Sequence, residues 1–227
     1  MVRDVFSSVA GRYDLMNDLM SGGLHRLWKA TLLDGLRPRG TDLLLDVAGG
    51  TGDIADGFLK RGGATSVICD INSNMLVAGI DRAIDRGEVG AGPNRACADA
   101  AALPFPDGLA DFFTRVFGLR NVSQRPAALE EMRRVLKPGG HFICMEFSPA
   151  VLPQLKPIYD AYSFLVLPWL GQRIAQDGES YRYLAESIRQ FPKPKALRDE
   201  MSDAGFGNIK ITPLTGGIVW QHSGWRI

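Results

Sequence analysis

Short hydrophobic runs alternate along the chain with glycine-rich turns and with stretches of mixed polarity. The first run, Leu43–Val47, is mostly Leu and Val and leads into a cluster of glycines. Such a run predicts a buried strand, and the mixed sequence from Asp53 onward predicts the start of a helix. A strand, a glycine turn and a helix in this order are typical of the first unit of a doubly wound α/β sheet, whose ligands bind beyond the carboxyl ends of the strands.

Similar runs recur further along the chain. Proline and paired glycines within 136–140 predict a turn, because they end the preceding helix and redirect the chain. The runs that predict further parallel strands are Thr65–Asp70, a run that starts at Asn94, 111–118 and 141–147. Together with a hairpin near the C-terminus, they predict an α/β fold with a mostly parallel, seven-stranded sheet and helices on both faces.

The glycine turn and the acid after the second strand predict a ligand site. Glycine has no Cβ, so Gly49, Gly50 and Gly52 can take positive φ and let the main chain approach a bound molecule. Asp70 follows about 20 residues later, where a carboxylate can bind a pair of ribose hydroxyls. Taken singly, the glycines could form an ordinary turn and Asp70 could cap the next helix. Their combined spacing favours a cofactor.

The residues around the glycines favour S-adenosylmethionine over NAD or FAD, which use a similar turn. The dinucleotide fingerprint has a further glycine where the helix N-terminus faces a pyrophosphate. Here Ala55 occupies that place, and Asp53 puts a negative charge near it. S-adenosylmethionine carries a sulfonium and an ammonium but no phosphate, so it fits this pattern better. An NAD-dependent oxidoreductase is the alternative.

A third acid, Asp99, follows the run that starts at Asn94. Its carboxylate could accept a hydrogen bond from an adenine amino group, and the small Ala100 beside it would leave room for the ring. The alternative is a solvated aspartate in a surface loop.

Eight segments resemble the C-methyltransferases of ubiquinone and menaquinone biosynthesis, and they extend along nearly the whole chain. The segments are 6–21, 25–29, 48–53, 70–76, 102–107, 117–122, 159–164 and 177–188. Many methyltransferases share the glycine turn, whereas the last three segments are much more specific to this family. The resemblance implies a Rossmann-like class I methyltransferase that uses S-adenosylmethionine as methyl donor and no metal.

The resemblance also implies which residues contact the cofactor. Thr51, Asp70, Asp99 and Ala100 fall on family positions that contact it. Val116 departs from the family, which often carries a small polar residue there, so it can offer only a backbone or van der Waals contact. A non-catalytic, cofactor-binding member of a quinone-biosynthesis complex is therefore a further alternative.

The implied reaction is C-methylation of a polyprenylated quinol, either 2-methoxy-6-polyprenyl-1,4-benzoquinol, demethylmenaquinol or both. A ring carbon becomes nucleophilic as its neighbouring hydroxyl loses a proton, so a donor to the developing oxyanion should supply much of the catalysis. Arg120 is the predicted donor, Asn121 would hold the partner oxygen, and Tyr13 would contact substrate or cofactor. Arginine keeps its own proton, with a pKa above about 12. His25 is a candidate base, although a structural role is commoner for such a histidine.

The chain is predicted to form one methyltransferase domain, 1–227. Its parts are an N-terminal helical cover (1–40), a cofactor-binding core (41–148), a substrate-side helical insertion (149–194), and a C-terminal helix and hairpin (195–227). The insertion is rich in aromatic and apolar residues, and a polyprenyl tail requires an apolar mouth. The candidates to line it are Phe164, Leu165, Val166, Leu167, Trp169 and Leu170.

Composition is that of a globular protein without a nucleic-acid footprint, because 26 basic and 25 acidic residues leave a net charge of +1. Three cysteines in predicted strands, Cys69, Cys97 and Cys144, predict buried thiols in a reducing compartment. His141 is predicted at the surface, and His222 in a structural role. With no leader segment or membrane span, we expect a cytoplasmic protein that touches the inner membrane transiently. A homodimer and contacts with other quinone-biosynthesis enzymes stay open.

Overall fold

A computed structural model describes residues 18, 21–88, 90, 92–166, 169, 172 and 178–227. The strands are β1 (Leu43–Val47), β2 (Thr65–Asp70), β3 (Asn94–Cys97), β4 (Ala110–Val116), β5 (Leu136–Phe147), β6 (Phe206–Leu214) and β7 (Val219–Arg226). They form one sheet in the order β3-β2-β1-β4-β5-β7-β6. The first five strands pair in parallel, and β7 is antiparallel to both β5 and β6. The predicted mostly parallel, seven-stranded sheet is confirmed.

Helices cover both faces of the sheet. The described helices are α1 (Leu24–Leu36), α2 (Asp53–Lys60), α3 (Ser73–Asp85), α4 (Arg125–Val135), α5 (Lys156–Ala161), α6 (Gly178–Gln190) and α7 (Pro194–Asp203). Side chains of α1 and α2 form one core cluster with Leu44 of β1. Side chains of α4 and α7 form another with its neighbour Leu45. Successive strand residues face opposite sides, so β1, β4 and β5 contribute to both clusters.

Shorter helical segments lie close to the carboxyl ends of the strands. A 3₁₀ turn, Leu119–Asn121, follows β4, and a π-helical segment, Tyr162–Val166, follows α5. Trp28 of α1 packs edge-on against Phe117 and Phe147, with ring centroids 6.3 and 5.9 Å away.

The division of the chain at residues 40, 148 and 194 stays a prediction. No helix within the described residues is both long and apolar enough to cross a bilayer.

The predicted turn at 136–140 is wrong as a boundary, because β5 already begins at Leu136. Ala110 pairs with Leu136, and the next aligned pair is Phe112 with His141. The intervening residues leave the regular register, and Gly139 takes φ +79°. Proline and the paired glycines therefore form an irregularity inside the strand, while α4 does end just before them, at Val135.

Positive φ falls on different residues of the glycine turn than the sequence predicts. Gly50 and Gly52 take φ of +54° and +99°, as expected, but the third such residue is Ala48 at +58°, not Gly49. Gly49 is required instead because a side chain at this position would collide with its surroundings. A Cβ there would lie 2.6 Å from the Asp46 carboxylate.

Two surface and burial predictions are corrected. Cys97 is exposed because β3 is the edge strand of the sheet, whereas Cys69 and Cys144 are buried as predicted. His141 is half-buried and stacks on Trp225, with ring centroids 4.1 Å apart. Burial lowers the pKa of His141 to about 4, so the ring is neutral at physiological pH.

We expect Gly118→Ala to destabilise the protein by about 1–3 kcal/mol, as overpacking does. The new Cβ would lie 2.6 Å from the Cβ of Ala48, and neither atom can rotate away. Gly35→Ala is the matched control in α1, where a Cβ meets nothing within 4 Å. It should gain about 0.4–1 kcal/mol. Urea unfolding of both variants measures the difference, and equal stability of the two would contradict the packing described here.

Candidate active site

A cavity of about 320 Å³ opens at the carboxyl ends of β1, β2 and β4. The loop after β3 and the 3₁₀ turn after β4 complete its wall. Residues that line it include Gly50, Asp70, Asp99, Ala100, Arg115 and Asn121. This is the edge at which ligands bind in doubly wound sheets, and the volume is within the range of small-molecule sites.

Asp70 is held by the main chain at the end of β2. The Gly50 amide donates to its Oδ2 at 3.1 Å, and the Asn72 amide donates to its Oδ1 at 2.9 Å. Burial raises the pKa of Asp70 above its ordinary value, although these amide donors oppose that rise. Each carboxylate oxygen accepts more than one hydrogen bond. Asp70 can therefore also accept hydrogen bonds from a ligand in the cavity.

The predicted cofactor residues fall into two groups. Gly50, Asp70, Asp99 and Ala100 line the cavity together. Gly49, Thr51 and Val116 line a small hollow on the other side of the glycine turn, along with Asp46 and Lys29. Gly52 is a packing residue, because a Cβ there would lie 2.5 Å from Cδ1 of Ile68.

Asp53 at the start of α2 is neutralised by two cations. Lys29 Nζ donates to its Oδ2 at 2.7 Å, and Arg82 donates to its Oδ1 at 3.1 Å. Burial alone would raise the pKa of Asp53, but Lys29 and Arg82 hold it below its ordinary value. Arg82 also donates to the Thr51 hydroxyl at 2.6 Å. Asp53 would therefore repel a pyrophosphate less than its sequence position suggests.

Asp46 is a functional candidate that the sequence reasoning missed. It is buried near the end of β1, where the Thr114 hydroxyl donates to its Oδ1 at 2.8 Å. Its Oδ2 has no hydrogen-bond partner among the described residues. Burial raises the pKa of Asp46 to about 7. The available signal was an acid inside an apolar strand directly before a glycine turn.

Arg120 does not extend into the cavity as a free donor. Its side chain is 3% exposed, and Nη1 lies 2.6 Å from Oε1 of Glu146 on β5. The same nitrogen donates to the Phe117 carbonyl at 2.7 Å. Glu146 is itself 1% exposed and also accepts from the Arg120 amide at 3.2 Å. The charge of Arg120 is thus offset by a buried partner, and its role as a donor to the substrate stays a prediction.

Asn121 lines the cavity, and α6 contacts it there. The Tyr183 hydroxyl donates to Asn121 Oδ1 at 3.2 Å. This bond leaves the amide nitrogen of Asn121 as the group that can donate to a ligand. Burial raises the pKa of Tyr183, and that of the nearby Tyr159 to about 12, so both phenols keep their protons at neutral pH. Tyr13 lies outside the described residues.

The candidate base His25 lies inside α1 and is buried. Its Nδ1 is 3.0 Å from the Ser21 hydroxyl, and burial lowers its pKa. Among the described residues, those that line the cavity do not include His25. His222 is also buried, and its Nε2 is 2.9 Å from the Pro194 carbonyl oxygen, which fits the structural role predicted for it.

A comparison with protein families shows to which family the chain belongs. The model of the ubiE/COQ5 methyltransferase family matches residues 1–226. The chain belongs to that family. Two similar proteins are ubiquinone/menaquinone biosynthesis C-methyltransferases UbiE, from Rhodopseudomonas palustris and Methylobacterium nodulans. They are 51% and 52% identical to the chain and match all of it, and the alignments cover 91% and 90% of the relatives.

Solved structures agree on the fold of this family member. A SAM-dependent methyltransferase from Thermotoga maritima matches with a TM-score of 0.71, 18% identity and full coverage of both chains. Phosphoethanolamine N-methyltransferase 2 from Haemonchus contortus, solved with S-adenosyl-L-methionine, matches with a TM-score of 0.62 and 17% identity. That match covers 83% of this chain and 38% of the other. At these identities the likeness supports the fold and no particular substrate.

Across the part of the chain that the structure describes, no group of three or more His, Cys, Asp and Glu is arranged to hold a metal ion.

We expect the stability of the wild-type protein to fall between pH 3.8 and about 7 relative to that of Asp46→Asn. The pKa of Asp46 rises from 3.8 in the unfolded chain to about 7 in the folded one. The folded state thus binds more protons between these values, and stability is lost as pH rises toward 7. Thermal melts at four pH values should show the variant gaining up to about 1.4 kcal/mol per pH unit. A difference independent of pH would refute the raised pKa.

Proposed function

We propose that this chain is an S-adenosylmethionine-dependent C-methyltransferase that methylates the ring of a polyprenylated quinol in ubiquinone or menaquinone biosynthesis. The substrate is 2-methoxy-6-polyprenyl-1,4-benzoquinol, demethylmenaquinol or both. The observation that carries the proposal is identity of about half of all positions, over the whole chain, to enzymes of that name.

The residues of the cavity fit the proposed donor. The free lone pairs of Asp70 would accept from its ribose hydroxyls, and Asp99 with Ala100 would border the base. The unpartnered Oδ2 of Asp46 would accept from its ammonium group, beside the glycine turn. When bound, S-adenosylmethionine supplies an electrophilic methyl group. Gly49, Gly50, Thr51, Gly52 and Val116 would shape the main chain around it.

The charges of the site disfavour the alternative of a pyridine dinucleotide. Asp46, Asp70 and Asp99 place three carboxyl groups on or near the cavity. The cations nearest the glycine turn, Lys29 and Arg82, are engaged with Asp53. A diphosphate at the glycine turn would therefore meet the Asp46 carboxyl group rather than a free base.

The residues of this chain would act by positioning the ring and stabilising its oxyanion. A phenol-like hydroxyl has a pKa of about 10 in water, so a donor at its oxygen lowers the cost of ionising it. The amide nitrogen of Asn121 can donate there, because Tyr183 occupies the amide oxygen. Arg120 would act on the ring without direct contact, because its guanidinium donates to the Phe117 carbonyl and pairs with Glu146. Tyr13 stays a proposed contact.

Exposed apolar side chains in the insertion would receive the polyprenyl tail and touch the membrane surface. Leu165 is 72% exposed, and Val166 and Trp169 are exposed as well. Leu167, Leu170 and the Phe164 side chain lie outside the described residues. Such a surface suits an enzyme that works in the cytoplasm at the face of the inner membrane and collects its substrate there. Homodimer formation and contacts with other enzymes of the pathway would use the same exposed face.

The test is a methyl-transfer assay with purified protein, S-adenosylmethionine and both reduced, demethylated quinols. Product should form under reducing conditions and not with the oxidised quinones, whose ring carbons are not nucleophilic. Titration with NADH, followed by its fluorescence, serves as the control for the dinucleotide alternative. The proposal would be abandoned if S-adenosylmethionine bound but neither quinol was methylated.

A pair of substitutions separates a catalytic role of Arg120 from its structural one. Arg120→Met alone should cost about 3–5 kcal/mol of stability, because it leaves the Glu146 charge buried without a counter-ion. The double variant Arg120→Met with Glu146→Met should recover most of that loss, since both charges are removed together. If Arg120 assists catalysis, the double variant binds S-adenosylmethionine normally but its kcat falls at least about tenfold. Full kcat in the double variant would show that the pair only stabilises the fold.

A further inference from the structure

Arg115 is the one residue of β4 whose charged side chain lines the cavity, and no sequence motif singled it out. It pairs in the sheet with Cys144 of β5, and β4 is the central strand of the seven, between β1 and β5. The residue is only 5% exposed. A guanidinium therefore lies in the floor of the cavity, away from bulk water.

The hydrogen bonds of this guanidinium are largely unmade. It can donate five. Nη2 donates to the Gly118 carbonyl at 3.1 Å. Nε and Nη1 are buried and have no partner among the described residues, and no carboxylate described in the structure lies within ion-pair distance of Arg115. Burial accordingly lowers the pKa of Arg115.

Such an arrangement is unfavourable in the empty protein. A buried charge without a counter-ion costs several kcal/mol, and unmade donors add to that cost. The other buried arginine of this region, Arg120, is matched by Glu146 in direct contact. A ligand in the cavity that accepts hydrogen bonds would remove the deficit at Arg115.

The position of Arg115 selects which part of a ligand it would meet. The carboxylate nearest to it in electrostatic effect is Asp70 at the end of β2. The acids and cations beside the glycine turn, Asp46, Asp53 and Lys29, line the other hollow, to which Arg115 does not contribute. Arg115 thus lies on the side of Asp70 and Ala100. A cation there would repel the ammonium and sulfonium groups of the proposed donor, whereas its neutral nucleoside carries several acceptor atoms.

We propose that Arg115 is a binding residue for the nucleoside part of the methyl donor, to which its guanidinium donates hydrogen bonds from the floor of the cavity. This assignment rests on the proposed function. It explains why an otherwise unfavourable buried cation is kept at this position. Its neighbour Asp70 would hold the ribose from the end of β2.

The test compares Arg115→Met with the wild-type protein by calorimetry, using S-adenosylhomocysteine and 5′-methylthioadenosine as probes. Both probes carry the nucleoside, but only the first carries the amino-acid group. The affinity for both should fall by a similar factor, about 10-fold to 100-fold, as expected for loss of hydrogen bonds to a charged group. The melting temperature of the ligand-free variant should be unchanged or higher, because an unpaired charge has been removed.

Arg133→Met is the matched control. Arg133 lies on α4, and its Nε donates to the Gly205 carbonyl at 3.0 Å, away from the cavity. This variant should bind both probes as the wild-type protein does and should melt at a lower temperature. The two arginines are thus expected to show opposite patterns of binding and stability.

Three results would overturn the assignment. Arg115→Met could bind both probes with wild-type affinity, or it could lose affinity for S-adenosylhomocysteine alone, which would place Arg115 at the amino-acid end. A markedly lower melting temperature of the empty variant would show that the guanidinium serves the fold. If the wild-type protein itself failed to bind S-adenosylhomocysteine, the proposed donor would fall first and the role of Arg115 with it.

Discussion

The parallel sheet gathers buried and half-buried carboxyl groups at one edge, and the site depends on how each of them is compensated. Asp46 lies near the end of β1, Asp70 ends β2, and Glu146 lies near the end of β5. Parallel strands bring their carboxyl ends to the same edge, so these groups cannot be separated without changing the topology. A buried carboxylate that lacks donors costs several kcal/mol, and it must therefore find donors or keep its proton.

The three carboxyl groups meet this constraint in different ways, and the differences suit a ligand with a cationic end. Glu146 is paired with Arg120 in direct contact. Asp70 accepts from two main-chain amides and keeps lone pairs toward the cavity. Asp46 has one donor, Thr114, and a pKa raised to about 7. Glu146, beside Arg120, is thus satisfied within the protein, whereas Asp70 and Asp46, beside the glycine turn, can still accept hydrogen bonds from a ligand. The opposite charge, Arg115, sits where a neutral nucleoside would lie.

Sequence reasoning succeeded where local pattern alone decides the structure. The bounds of β1 and β2 and the start of α2 are decided by apolar runs and glycines that lie next to one another in the sequence. It could not specify what distant residues decide. The direction of the Arg120 side chain depends on Glu146, which is 26 positions away, and the partner of Asn121 is 62 positions away. Cys97 is exposed because of the place of β3 in the sheet, which periodicity does not reveal.

Two backbone residues with positive φ lie in the wall of the cavity. Ala48 and Phe117 directly follow β1 and β4, and both take positive φ, near +58°. Such conformations cost about 1–3 kcal/mol each and persist only where the surroundings enforce them. Here the Ala48 amide donates to the Cys69 carbonyl at 2.7 Å, and the Phe117 amide donates to the Met145 carbonyl at 2.8 Å. Methyl transfer requires close alignment of two reactants. The glycine turn follows Ala48, and the 3₁₀ turn with Asn121 follows Phe117. Main-chain hydrogen bonds of these two residues, rather than flexible side chains, therefore set the distance between the glycine turn and Asn121.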